Sequence, residues 1–269
     1  MIVTIFKNDC FHAVACYILF TVILHSDSFI LLMNDILMIL MQSQITIPVW
    51  LCVIICIVTV MYMLVTPLTL TAMILERYVA ICMPLRYEEL CSTHRSVHCI
   101  LIIHTLSLFP CMVDYSIFFA SVEQNVYKQQ QLCSLQTFII HRGQGHLKSA
   151  LHQFYFLVMC IVIAFCYFKI LKVAKTAAGE DKESTSKALR TVALHAFQLL
   201  LCLIQLWSPF IEAAVFHIDL KMFVTVRFIN YFCSNITPRC LSSLISGFRD
   251  DKLFHVLKKN MFFLQKLKE

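Results

Sequence analysis

Six apolar runs dominate this chain and limit what it can fold into. They cover about 13–41, 48–81, 97–119, 147–171, 188–217 and 222–246. In helical form, about 20 such residues cross the roughly 30 Å hydrocarbon core of a bilayer. Hydrophobic residues make up 59% of the chain and charged residues only 14%, whereas a water-soluble domain carries about a quarter charged residues. A surface so poor in charge faces lipid. Transmembrane barrels alternate apolar and polar residues along each strand, and these runs do not alternate. Hydrocarbon offers the backbone no water, so helices are the remaining spanning form. The expected fold class is therefore all-α, an integral membrane helical bundle forming one domain over residues 1–269.

The first run is interrupted by His25, Asp27, Asn34 and Asp35, and the second exceeds one crossing, so that helix is expected to tilt or to extend beyond the membrane. Lysine and arginine set the orientation. They are dense in the 82–96 loop, the 172–187 loop and the tail after Ser246, and sparse at 42–47 and 218–221, while the 120–146 loop carries only Lys128 and Arg142. The basic segments are expected in the cytoplasm and the long 120–146 loop outside. A net charge of +6 distributed between apolar runs does not indicate nucleic acid. Most of the 14 cysteines sit inside apolar runs, where they act as small buried hydrophobes. The first ten residues lack the charged start and small-residue cleavage site of a signal peptide, so a span is expected to target the chain.

At the inner end of the second run stands Met73-Ile74-Leu75-Glu76-Arg77-Tyr78-Val79-Ala80-Ile81-Cys82-Met83-Pro84-Leu85-Arg86-Tyr87. Taken alone, Arg77 reads equally as an interfacial residue reaching for lipid headgroups. The longer string resembles the end of the third helix in rhodopsin-like receptors, in the version found in fish-type odorant receptors. The stretches 164–171 and 187–195, and Pro238-Arg239-Cys240-Leu241-Ser242-Ser243-Leu244-Ile245-Ser246-Gly247-Phe248-Arg249-Asp250, resemble that family's fifth, sixth and seventh helices. Apolar residues then recur at helical spacing among lysines over 249–264, as in an interfacial amphipathic helix.

The resemblance implies a seven-span receptor fold with six spans present and the first helix missing, located in the plasma membrane. Its implied partners are a small organic odorant, a heterotrimeric G protein and the bilayer, and it implies no cofactor and no metal. Glu76, Arg77 and Tyr78 would form the G-protein switch. Asp27, fifty residues before Arg77, would be the polar site of the second helix. Tyr167 would be the inner tyrosine of the fifth helix. Cys52 would bond to the long outer loop through Cys133, forming a lid over the ligand cavity, with Cys111 the weaker partner because its run places it within the bilayer. That cavity would lie in the outer half of the bundle. Periodicity from Arg77 then selects Cys56, Thr59, Val60 and Met63, and the later helices add Leu151, Tyr155, Leu206 and Phe210. Such a pocket is largely apolar, with Thr59 and Tyr155 as polar contacts, and none of these positions carries a charge.

The chain also departs from the pattern. Ser243 and Ser246 replace the proline and tyrosine of the seventh-helix motif, and His104 stands where a fourth-helix tryptophan is usual. These changes and the missing first span lead to an expectation of weak or absent signalling. Two other readings compete: a rhodopsin-like receptor for a non-odorant ligand, and a six-span channel or transporter subunit, although neither a filter segment nor an inverted repeat is visible. No metalloprotease motif, phosphate loop or nucleophile elbow points to an enzyme. His94 and His98 have metal-ligand spacing but no third ligand.

The orientation is testable. A cysteine introduced into the 120–146 loop is expected to react with an impermeant maleimide on intact cells, and one in the 172–187 loop only after permeabilisation. The reverse pattern would overturn both the orientation and the receptor resemblance.

Overall fold

The computed structural model describes residues 15–133, Phe138, 142–176 and scattered positions between 190 and 237. Helix α1 spans Ala15–Gln42, α2 Val49–Cys82, α3 Thr93–Ser121 and α4 Arg142–Thr176. These four helices are long and apolar enough to cross a membrane. They fall on the first four apolar runs, with α1 and α2 matching theirs to within two residues and α3 and α4 extending theirs by two to five residues at each end. The expected spans at 188–217 and 222–246 coincide with scattered helical positions but mostly lie outside the described residues, as does the 249–264 helix.

The exposed faces of these helices are apolar where those of a soluble bundle would be polar. Along α3, Leu101, Ile102, Phe109 and Met112 are exposed while Ser107 and Asp114 are buried. Along α4, Phe154, Leu157, Ile161 and Phe168 face outward while His152 is buried. Lipid solvates the exposed apolar faces, and polar groups gain by turning inward. Hydroxyl groups satisfy themselves on their own helices. Ser26 donates to the Val22 carbonyl at 2.8 Å, Thr69 to Val65 at 2.7 Å and Ser107 to Ile103 at 2.8 Å. Pro67 interrupts the backbone ladder of α2, and Thr71 donates to its carbonyl at 2.9 Å.

Helix α2 is the axis of the bundle. Its 34 residues give about 50 Å of helix at 1.5 Å each, well beyond one crossing. One face packs Leu70 and Met73 against Leu19, Phe20, Ile23 and Leu24 of α1. Another packs Ile74 against Phe156, Met159, Ile163, Cys166 and Ile170 of α4. Those α4 positions alternate three- and four-residue steps, the spacing of a straight packing seam between helices. The third cluster joins α2 to α3 through Cys56, Val60, Cys111, Tyr115 and Phe118.

At one end of the bundle a two-stranded ribbon is added to the helices. Strand β1, Thr46–Pro48, pairs antiparallel with β2, Gln130–Leu132, with Ile47 opposite Gln131. Chain reversal ahead of β1 uses Gln44 in the left-handed region, φ 52°. The residue after β2 is Cys133, which is disulfide-bonded to Cys52 in the first turn of α2, with Cα atoms 5.6 Å apart. Ribbon and disulfide together tie the long loop to the start of α2. The expected pairing is therefore present, and Cys111 is a free buried thiol.

A third sulfur lies beside this bond. Cys56 Sγ is 3.9 Å from Cys52 Sγ and 4.0 Å from Cys133 Sγ. Removing Cys52 leaves Cys56 as the neighbouring thiol. In Cys52→Ser, non-reducing peptide mapping is expected to recover a Cys56–Cys133 disulfide. In Cys52→Ser/Cys56→Ser, Cys133 should alkylate as a free thiol. Free Cys133 in the single variant would show that Cys56 cannot reach it.

Candidate functional site

The end of the bundle opposite the disulfide carries the Glu76-Arg77-Tyr78 triplet. Helix α2 stops at Cys82, and Pro84 starts a tight turn over Pro84–Arg86. A single helical turn, Tyr87–Leu90, follows. This reversal brings Tyr87 back beneath the helix end, where its hydroxyl donates to Glu76 Oε1 at 2.7 Å. The other carboxylate oxygen lies 3.8 Å from Arg77 Nε. Glu76 is 6% exposed and Arg77 29% exposed, so one buried carboxylate is shared between a phenol and a partly accessible guanidinium. The geometry is a short hydrogen bond combined with a long charge contact. Tyr78 turns elsewhere, its ring centroid 5.8 Å from that of Phe165 on α4. The triplet thus divides into a charged pair facing the turn and an aromatic packed on α4.

Tyr87 had no assigned role in the sequence, although it closes the motif. It is the residue that holds Glu76, and its place in the Pro84-Leu85-Arg86-Tyr87 string was the available signal. Tyr167 is partly exposed and lines an apolar groove of about 550 Å³ with Ile163, Phe168, Ala196, Phe197 and Leu200. That groove separates α4 from the helical positions near 193–200.

Asp27 lies deep in the bundle at 4% exposure and accepts a hydrogen bond from the Thr66 hydroxyl of α2 at 2.9 Å. The second-helix aspartate is thus bridged to the central helix beside Pro67. His104 directs Nδ1 to the Ile100 carbonyl at 2.8 Å and sits edge-on to Tyr62. His94 and His98 meet edge-to-face, with ring centroids 4.5 Å apart.

Near the disulfide end, Cys56, Thr59 and Val60 are buried, and Met63 and Leu151 are partly so. Leu206 and Phe210 lie outside the described residues. The Thr59 hydroxyl donates to Ile55 at 2.7 Å, and Tyr155 donates to the Leu106 carbonyl of α3 at 3.0 Å. Both expected polar contacts are thus committed within the protein. A charged pair lies near Cys56. Asp114 of α3 is 5% exposed, and its Oδ2 lies 3.5 Å from Lys148 Nζ of α4. The rule that flagged Asp27, an ionisable group inside a span, applies equally to Asp114.

The chain matches the 7 transmembrane receptor (rhodopsin family) profile over residues 1–241. It is 36% identical over 211 residues to Odorant receptor 131-2 of Danio rerio, a match covering 78% of this chain and 65% of that relative. The long apolar helices, the loop-to-helix disulfide and the Glu76–Arg77 pair at the far end of the same helix agree with that match. The chain belongs to the rhodopsin family of seven-transmembrane receptors and is a multi-pass plasma-membrane protein.

Proposed function

We propose that this receptor detects a small organic odorant between the helices at the disulfide end and passes the signal to a heterotrimeric G protein at the Arg77 end. The observation that carries the reading is the Glu76 carboxylate held between Tyr87 and Arg77 at the end of the central helix. A hydrogen bond to a charged group contributes about 1.5–3 kcal/mol. That is small enough for a ligand to overcome and large enough to bias a resting state. Releasing Glu76 frees Arg77 to meet the G protein. The name of the Danio rerio relative supports an odorant as the ligand. The orientation fits as well, because a disulfide persists in the oxidising exterior and the basic loops adjoin the Arg77 end. Glu76, Arg77 and Tyr87 form the switch in this reading, with Tyr78 as an aromatic anchor on α4 and Tyr167 at the inner groove. Cys56, Thr59, Val60, Met63, Leu151, Tyr155, Leu206 and Phe210 surround the ligand.

A cAMP reporter tests the switch, with surface expression matched by flow cytometry. Because Ser243 and Ser246 depart from the seventh-helix motif, the expected output of the unaltered chain is low. The assay therefore uses a Ser243→Pro/Ser246→Tyr background. There, Tyr87→Phe is expected to raise ligand-independent signal by about tenfold or more, given the size of the lost hydrogen bond. Arg77→Ala is expected to abolish signal with and without odorant. Full signalling by Arg77→Ala would overturn the proposed switch.

A further inference from the structure

Asp114 is buried in an unusual state. Among the described residues, neither carboxylate oxygen has a hydrogen-bond donor, although the residue is 95% shielded. Lys148 Nζ, at 3.5 Å, makes a charge contact rather than a good hydrogen bond, since charge-assisted N–H···O bonds close to about 2.8 Å. Gln144 is adjacent, but its amide nitrogen is directed to the Asp114 backbone carbonyl at 3.1 Å and the Phe138 carbonyl at 3.2 Å. His152 directs Nδ1 to the Lys148 carbonyl at 2.8 Å. The charges thus face each other with unused hydrogen-bonding capacity on the acid. A buried ionised group in that condition is costly unless further donors reach it.

Lys148 is well placed for access. The α4 seam of Ile170, Cys166, Ile163, Met159 and Phe156 continues through buried His152 to Lys148, four residues further towards the helix start. Lys148 therefore points into the bundle, where it lies near Cys56 of α2 and Cys111 of α3. Its side chain is 26% exposed, whereas that of Asp114 is 6%. Of the two charges, the ammonium is therefore the more accessible and the carboxylate the more enclosed.

Charge balance selects the ligand. A simple cation on Asp114 would leave Lys148 as an unpaired ammonium, and a simple anion on Lys148 would leave Asp114 unpaired. A zwitterion replaces the one long contact with two direct ones and leaves no charge uncompensated. We propose that Asp114 and Lys148 form a polar subsite of the ligand cavity that takes the ammonium and carboxylate of a free α-amino acid. The ammonium donates to the Asp114 oxygens and the carboxylate accepts from Lys148 Nζ. The apolar neighbours Cys56 and Val60 suit an aliphatic side chain. This inference rests on the reading above that places the ligand at the disulfide end.

The test is binding of tritiated L-leucine to the full chain, purified in lipid nanodiscs without G protein. Saturable binding is expected, with 3-methylbutylamine and 4-methylpentanoate, each keeping one charged group, competing at least about tenfold more weakly. Asp114→Asn/Lys148→Gln removes the pair without leaving a lone charge. It is expected to keep the Cys52–Cys133 bond and a near-normal melting temperature while losing at least about tenfold in leucine affinity. Absence of saturable leucine binding to the natural chain would overturn the proposal, as would unchanged affinity in the folded double variant or equal competition by a single-charge analogue. G-protein signalling driven by uncharged odorants and unaffected by the double variant would sink this subsite while leaving the receptor reading intact.

Discussion

Inside hydrocarbon every polar group needs a partner within the protein, and this requirement organises the bundle. It explains why Ser26, Thr69 and Ser107 return their hydroxyls to their own helices. It also explains why α3 and α4 turn phenylalanine, leucine and isoleucine outward while keeping Asp114 and His152 inside. Apolar burial contributes little in such a setting, because lipid tails solvate leucine as well as protein does. Specificity then comes from close packing and from the few polar contacts between helices. The Thr66–Asp27 bond between α2 and α1 is one of these. The Asp114–Lys148 contact between α3 and α4 is another.

The two ends of α2 are held by interactions of different strength. At one end a covalent bond and a β-ribbon join the long loop to the first turn of the helix. At the other, Tyr87 and Arg77 share a carboxylate through one 2.7 Å hydrogen bond and one 3.8 Å charge contact. Ordinary thermal populations cannot open the first, whereas the second is within reach of a ligand's differential binding. The receptor function proposed above requires such asymmetry, with one end fixed and the other able to change state.

Much of this was legible in the sequence, for identifiable reasons. Length and apolarity alone give α1 to α4, because a bilayer imposes a minimum span that few soluble segments reach. The α4 seam is visible as alternating steps of three and four from Phe156 to Ile170. The Cys52–Cys133 bond and Glu76–Arg77 pair came from resemblance, since spacing alone could not choose among 14 cysteines. The ribbon was not legible, because three-residue strands are too short to show alternation. The acceptors of the Thr59 and Tyr155 hydroxyls were not legible either, because sequence spacing does not say which acceptor a hydroxyl reaches. Their acceptors turned out to be Ile55 and Leu106. Asp114 and Lys148 were missed for a similar reason. Each looks incidental in its own run, and only the packing of α3 on α4 reveals a pair.

In the receptor reading proposed above, the spacing of contacts on α2 constrains how a signal passes through the molecule. Cys56 near the disulfide and Lys148, Thr66 on Asp27, and Glu76 on Tyr87 stand ten residues apart in turn, about 15 Å per step along a helix. A continuous helix does not stretch, so a ligand cannot reach Glu76 by local deformation passed along α2. It has to move α2 as a body against its neighbours, or change which neighbours pack on it. The Thr66–Asp27 bond lies midway, so any such movement must keep it or exchange it. Pro67, the next residue, lacks the backbone N–H that would reinforce the helix there. The buried aspartate and the weakened backbone therefore coincide at the level where the two ends of α2 must be coupled. In the proposed signalling route, the Thr66–Asp27 bond is therefore the polar contact that a movement of the central helix has to carry with it or exchange.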